Sequence, residues 1–153
     1  MMLTIDSGNT NIVFAVFNDD GTIAGQWRAA KATGTFRAEN PAAGEALPFA
    51  AAEFDVVSCI YLFHELPGEV RRIVAREIAR VLKPGCLLVF VDSLQMGDRP
   101  GWDGLLEAFP VRFHEPFYRH YAIDDLEAVF AATGLTIERR ELAFLAKVLT
   151  LRK

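Results

Sequence analysis

The sequence predicts an α/β fold: a β-meander over residues 1–30, followed by a unit built on parallel strands, the whole forming one compact domain. Three observations carry this. Residues 3–28 hold short apolar runs broken at a tight turn. "FDVVSCIYL" and "CLLVFV" are near-continuous apolar runs, and between them "GEVRRIVAREIARVL" places its apolar residues at helical spacing. Short joints link the three pieces, which makes a strand–helix–strand unit with parallel strands. With 153 residues, 52% of them hydrophobic, and twelve phenylalanines, the chain is long enough for one well-filled core.

Each element has a local reason. Residues 3–6, 12–17 and 22–28 form the meander, with Asn18-Asp19-Asp20-Gly21 as a hairpin turn. Residues 29–52 are rich in Ala, Gly and Pro, with scattered large apolar residues such as Phe36, Leu47 and Phe49, and read as loop. Residues 54–62 form an apolar strand of the kind covered on both faces. Pro67 suits the first turn of a helix. In that helix Val70, Ile73, Val74, Ile78, Val81 and Leu82 share one face. Lys83-Pro84-Gly85 ends it, and residues 86–91 form a second buried strand. Residues 93–121 read as irregular and aromatic, with a helical turn or two at 105–109. Asp124 caps a helix through Thr133 that Gly134 closes. Two strands, 135–142 and 144–151, end the chain across a tight turn.

Composition narrows the function classes. A net charge of −4 with no basic run argues against nucleic acid as a partner. The apolar runs are far shorter than a membrane span, and the first residues lack the basic start and cleavage site of a secretory leader. The expectation is a cytoplasmic protein with no membrane partner. Cys59 and Cys86 lie in apolar runs and read as buried reduced thiols, with a disulfide or reactive thiol as the other reading. Far apart and without a Cys or His cluster nearby, they make no zinc pattern.

Three further segments carry a family likeness. "GEALPFAAAEFDVVSCIYLFHELP", "EIARVLKPGCLLVFVDS" and "DDLEAVFAATGLTIERREL" with "AKVLTLRK" follow one another in order. From about Gly44 onward the chain resembles the C-terminal half of class I S-adenosylmethionine-dependent methyltransferases. The segments correspond to that family's fourth strand, its fifth strand with the preceding helix, and its last helix with the closing hairpin. Cys86 stands where the family usually has a second glycine. The resemblance implies an incomplete Rossmann-like methyltransferase sheet, with S-adenosylmethionine as cofactor and a small-molecule substrate. It places Tyr61, Phe63, His64 and Glu45 beside the cofactor. His64, Asp92 and Glu115 are the acid–base candidates, because a protonated acceptor needs a base. Gln95, Trp102, His114, Tyr118 and Tyr121 are the substrate-side candidates, from a segment that looks like one subgroup's insertion. Plainer readings stay open: a helix-capping role for His64, a solvent-facing loop for His114 and Glu115, and a satellite core for the aromatic cluster.

"MLTIDSGNTNIVFAVFNDDGTIAGQWRAA" is similar instead to the start of type III pantothenate kinases. There the aspartate and the Gly-Asn-Thr-Asn turn make a phosphate loop. That implies Asp6, Gly8, Asn9 and Thr10 as an alternative phosphate site, with ATP and Mg²⁺ as the alternative cofactors. The downstream kinase parts are missing, and a plain turn between two strands is the other reading of this loop. The chain therefore reads as a graft: residues 1–30 are a kinase-like meander and 31–153 a truncated methyltransferase-like part. The graft omits the Gly-rich first turn with its helix and the acidic residue after the second strand. Ala43 stands where the family often has Asp or Asn near the adenine. The expected function is a methyltransferase-like protein, impaired or inactive because the cofactor loop is missing. The alternatives are a non-enzymatic folded remnant acting in self-association or partner binding, and a phosphate-binding module. Loss of the first strands would bare the flank of the strand at 54–62, to be covered by the meander or by a second copy. A homodimer is the expectation.

Overall fold

The computed structural model describes residues 1–7, 11–30, 46–113 and 115–153, and of residues 6, 7, 11–16 and 23–30 it describes the backbone. In chain order the strands are Met2–Ser7 (β1), Asn11–Phe17 (β2), Ile23–Ala30 (β3), Phe54–Ile60 (β4), Leu82–Ser93 (β5), Thr136–Ala143 (β6) and Ala146–Arg152 (β7). They form a seven-stranded sheet in the order β3-β2-β1-β4-β5-β7-β6. β1, β4 and β5 run parallel, and every other neighbouring pair is antiparallel. The first five positions match the doubly wound order. The direction of β2 does not: it follows β1 as its antiparallel neighbour, with Ser7 opposite Ile12.

The meander covers the flank that the sequence leaves open. β1 lies along β4 with Leu3 opposite Val57 and Ile5 opposite Cys59, and all four side chains are buried. Burying Leu3 and Ile5 contributes about 1.5–3 kcal/mol each, which ties the meander to the core. The Ser58 hydroxyl donates to Thr4 Oγ1 at 3.0 Å across the same seam. The edge that motivated a dimer is thus paired within the chain.

The helices are Gly68–Val81 (α1), Asp103–Phe113 (α2), Tyr118–Ala122 (α3) and Leu126–Ala131 (α4). α1 and α4 pack into one core with the sheet through Val74, Ala75, Ile78, Val129 and Phe130, against Phe54, Leu88, Phe90, Leu149 and Leu151. Several expectations change in detail. Pro67 precedes α1 as its cap residue rather than lying in its first turn. β5 starts at Leu82 and includes the Lys83-Pro84-Gly85 stop, because Gly85 N–H reaches Lys153 O at 2.8 Å and the chain's last residues pair there. The strands alternate rather than being covered on both faces. Val57, Cys59, Leu88 and Phe90 are buried, while Val56, Ile60, Leu87, Val89 and Val91 stay partly exposed. α2 is longer than expected, and α3 lies where irregular chain was expected. Aromatic residues on every side there, with Pro110 and Pro116, hide the helical period. Asp125, not Asp124, caps α4, accepting from Ala128 N–H at 3.0 Å.

β6 is the outer strand, and every side chain on it except Ile137 is exposed. Glu138, Arg139, Arg140 and Glu141 fill its centre. Arg139 pairs with Glu141 at 2.7 Å, and Arg152 of β7 holds Glu138 at 2.5 Å. Charges along an edge strand discourage pairing with another chain. Cys59 is buried and Cys86 half-buried, and neither is in a disulfide. No helix among the described residues is long and apolar enough to cross a membrane.

Candidate functional site

The carboxyl ends of β1, β4 and β5 meet at one edge of the sheet, where open α/β sheets bind ligands. β4 ends at Ile60. Tyr61 follows with φ +49°, a left-handed conformation that costs a bulky residue energy, and its N–H donates to Val91 O at 2.8 Å. That bend starts a short 3-10 turn over Phe63–Glu65 and swings His64 back over the end of β5.

Asp92 receives it. This carboxylate is fully buried; Oδ1 lies 2.6 Å from His64 Nδ1, and Oδ2 accepts from Phe63 N–H at 2.7 Å. Ser93 N–H also donates to Oδ1, at 2.7 Å. A carboxylate accepts and does not donate when ionised, so Nδ1 carries the hydrogen and Nε2 keeps a free lone pair. That is the orientation a general base needs. Nε2 lies 3.8 Å from Glu65 Oε1. The rings of Tyr61, Tyr118 and Tyr121 stand edge-on, 6.0–6.2 Å from the imidazole. Burial pulls the imidazole pKa down. The hydrogen bond to Asp92 and the charges of Asp92, Glu65 and Glu115 outweigh it, and His64 rises above its ordinary value.

A stability consequence follows with a definite sign. A raised folded-state pKa means that His64 stabilises fully below its unfolded value of about 6.5, and that this contribution disappears as pH rises through the folded value. Urea unfolding at pH 6 and pH 9 should therefore show a loss of stability at high pH that His64→Gln reduces. An unchanged pH difference in the variant would remove His64 as its source.

The other candidates separate. Glu115 faces His64 and adds to its charge environment. Phe63 is fully buried in the core against Phe90, at 5.0 Å between ring centroids, so it supports the site and does not line it. Tyr118 and Tyr121 are buried, with hydroxyls on Leu94 O and Ser93 O. Burial pushes the Tyr118 phenol up to about 12. Gln95, expected at the substrate, is a buried connector that donates to Tyr121 O and Asp124 O and accepts from Lys147 Nζ at 2.8 Å. Trp102 packs on Phe144 and under Arg99. Glu45, His114, Gly8, Asn9 and Thr10 lie outside the described residues, and Asp6 is described by its backbone alone. Asp6 stands opposite Ile60, so β1 ends beside the end of β4 that leads into the His64 turn.

Two buried polar residues were missed at the sequence level. Arg71 is fully buried and donates to Phe63 O, Phe117 O and Asp124 Oδ2. Its position on the apolar stripe with Val74, Ala75 and Ile78 was the available signal. Lys147 is buried and pairs with Asp98 at 2.8 Å; burial pulls its pKa down against that carboxylate. Lys147 borders a cavity of about 410 Å³ lined also by Gln95, Asp98, Asp124 and Arg140, apart from His64.

Comparison with known proteins gives a consistent picture. The family described as methyltransferase domain matches residues 13–90. A methyltransferase candidate from Bacillus halodurans aligns at TM-score 0.57 and 15% identity over 72% of this chain and 69% of its own. A SAM-dependent methyltransferase from Methanosarcina mazei aligns at TM-score 0.52 and 17% identity over 72% and 64%. Human N-acetylserotonin methyltransferase, in complex with SAM, aligns at TM-score 0.51 and 16% identity over 66% of this chain and 30% of its own. Identities this low establish the fold. A type III pantothenate kinase from Paramagnetospirillum magneticum is 69% identical over 29 residues, which span 19% of this chain and 11% of the kinase.

Proposed function

Because the chain belongs to the methyltransferase-domain family, we propose that it is an S-adenosylmethionine methyltransferase-type domain whose cofactor side is incomplete, leaving it impaired or inactive in methyl transfer. The observation that carries this is the element after β1. A cofactor cradle of this family needs a Gly-rich turn that opens a helix, whose N-terminal N–H groups and dipole receive the ligand. Here β1 is followed by antiparallel β2. The residues present therefore do not fit the cofactor on the β1 side. On the β4 side, the exposed Tyr61 and the Asp92-held His64 keep the form of a ligand wall. What His64 does on its own is accept a proton at Nε2, and a small-molecule acceptor beside it would be the source of that proton.

Titration calorimetry with S-adenosylmethionine and its demethylated product tests the reading. Binding no tighter than about millimolar is expected, near 4 kcal/mol weaker than a micromolar site. Micromolar binding of either ligand would overturn it. ATP with Mg²⁺ in the same calorimeter separates the kinase-like loop: heat that Asp6→Ala abolishes would assign phosphate binding to that loop instead.

A further inference from the structure

We propose that His64, Glu65 and Glu115 form a binding site for one divalent transition-metal ion of the zinc class, at the carboxyl edge of β4 and β5. One donor atom from each of the three lies within 4.8 Å of the others. His64 Nε2 and Glu65 Oε1 are already 3.8 Å apart. Tetrahedral zinc, with bonds of about 2.1 Å, wants donors about 3.4 Å apart. Modest rotation of the two partly exposed glutamates closes the set.

The histidine gives the second, independent sign. It is 9% exposed, and its orientation is fixed from behind by the Nδ1 contact to Asp92. Asp92 is fixed in turn by Phe63 N–H and Ser93 N–H. A carboxylate behind a histidine, with the far nitrogen aimed at further donors, is the outer-shell arrangement that orients metal ligands and raises their basicity. Two carboxylates and a neutral imidazole match a dication in charge. One nitrogen and two oxygens suit Zn²⁺, Mn²⁺, Fe²⁺ or Co²⁺ better than Mg²⁺, which demands an octahedron of oxygens. Three protein ligands leave a fourth position open at the sheet edge.

The ion would use the same Nε2 lone pair that makes His64 a base, so the two roles exclude one another. The proposal does not rest on cofactor binding, and its test omits the cofactor. Protein stripped with a chelator is titrated with Zn²⁺ by calorimetry. One equivalent should bind at micromolar affinity or better, and Glu65→Gln and Glu115→Gln should each weaken it by about tenfold or more. Glu107→Gln, on the exposed face of α2, should leave it unchanged. The His64 ring nitrogen signals should shift at Nε2 on addition of one equivalent. No binding at millimolar Zn²⁺, binding that both glutamine variants retain, or equal displacement by Mg²⁺ would each overturn the proposal.

Discussion

Arg71→Ala is expected to destabilise the domain by about 3–5 kcal/mol, because removing one partner of a buried pair strands the other. Asp124, whose side chain is 6% exposed and 2.9 Å from Arg71 Nη1, would keep only the half-exposed Arg72, at 3.1 Å. Burial pushes the Asp124 carboxyl up; hydrogen bonds from Arg71 and Arg72 outweigh it and hold the pKa below its ordinary value. The same substitution removes one of two donors from the carbonyls of Phe63 and Phe117, which keep the N–H groups of Leu66 and Tyr121. It also removes a guanidinium lying 5.5 Å from the Tyr121 ring centre. Arg71 thereby joins the turn that carries His64 to the start of α3 and the segment before α4. Native stabilities are about 5–15 kcal/mol, so about a fifth or more would be lost. Urea denaturation measures it. The double variant Arg71→Ala/Asp124→Ala should lose clearly less than the sum of the single losses. Strict additivity would mean that the pair does not act as a unit.

Asp92→Ala should be nearly as costly and should also move a titration. It leaves the Phe63 and Ser93 N–H groups and His64 Nδ1 without their shared acceptor, and each buried unpaired group costs about 1–3 kcal/mol. What then dominates at His64 is burial, which disfavours the charged ring. The His64 pKa, read from its ring proton shifts, should fall from above to below its ordinary value of about 6.5. A fold that merely loosened would bring that value back toward 6.5, not beneath it. An unchanged pKa would remove Asp92 as the group that sets it.

The strand–helix–strand core and the closing hairpin were legible because their apolar periods are clean. Val74 and Ile78 recur at helical spacing, and "FDVVSC" leaves no helix-length run. His64 and Asp92 were legible as candidates because both follow the ends of buried strands. Their direct contact was not, since Tyr61's bend and the turn after it leave no periodic trace. Arg71 and Lys147 stayed hidden for another reason. A charged residue on a buried face looks the same in sequence as one on a solvated face until its partner, 53 and 49 residues away respectively, is known to be adjacent. α3 was missed because five residues, with exposed Arg119 and His120 between buried Tyr118 and Tyr121, are too few to establish a helical period. The place of the meander was readable as one of two options, and pairing with β4 settled which.

That pairing has a consequence for how the chain is assembled. Thr4 and Ser58 touch across 54 residues of sequence, whereas β4, α1 and β5 follow one another through short joints. Closing so long a loop costs entropy before any contact repays it, though each doubling of length adds only about 0.6 kcal/mol. The seam is made largely of main-chain hydrogen bonds and two inward apolar side chains. Such a socket is tolerant of which strand fills it: any strand with apolar residues two apart meets its terms. A sheet edge of this kind asks little of the core behind it, because the added strand meets it through its main chain and two inward side chains.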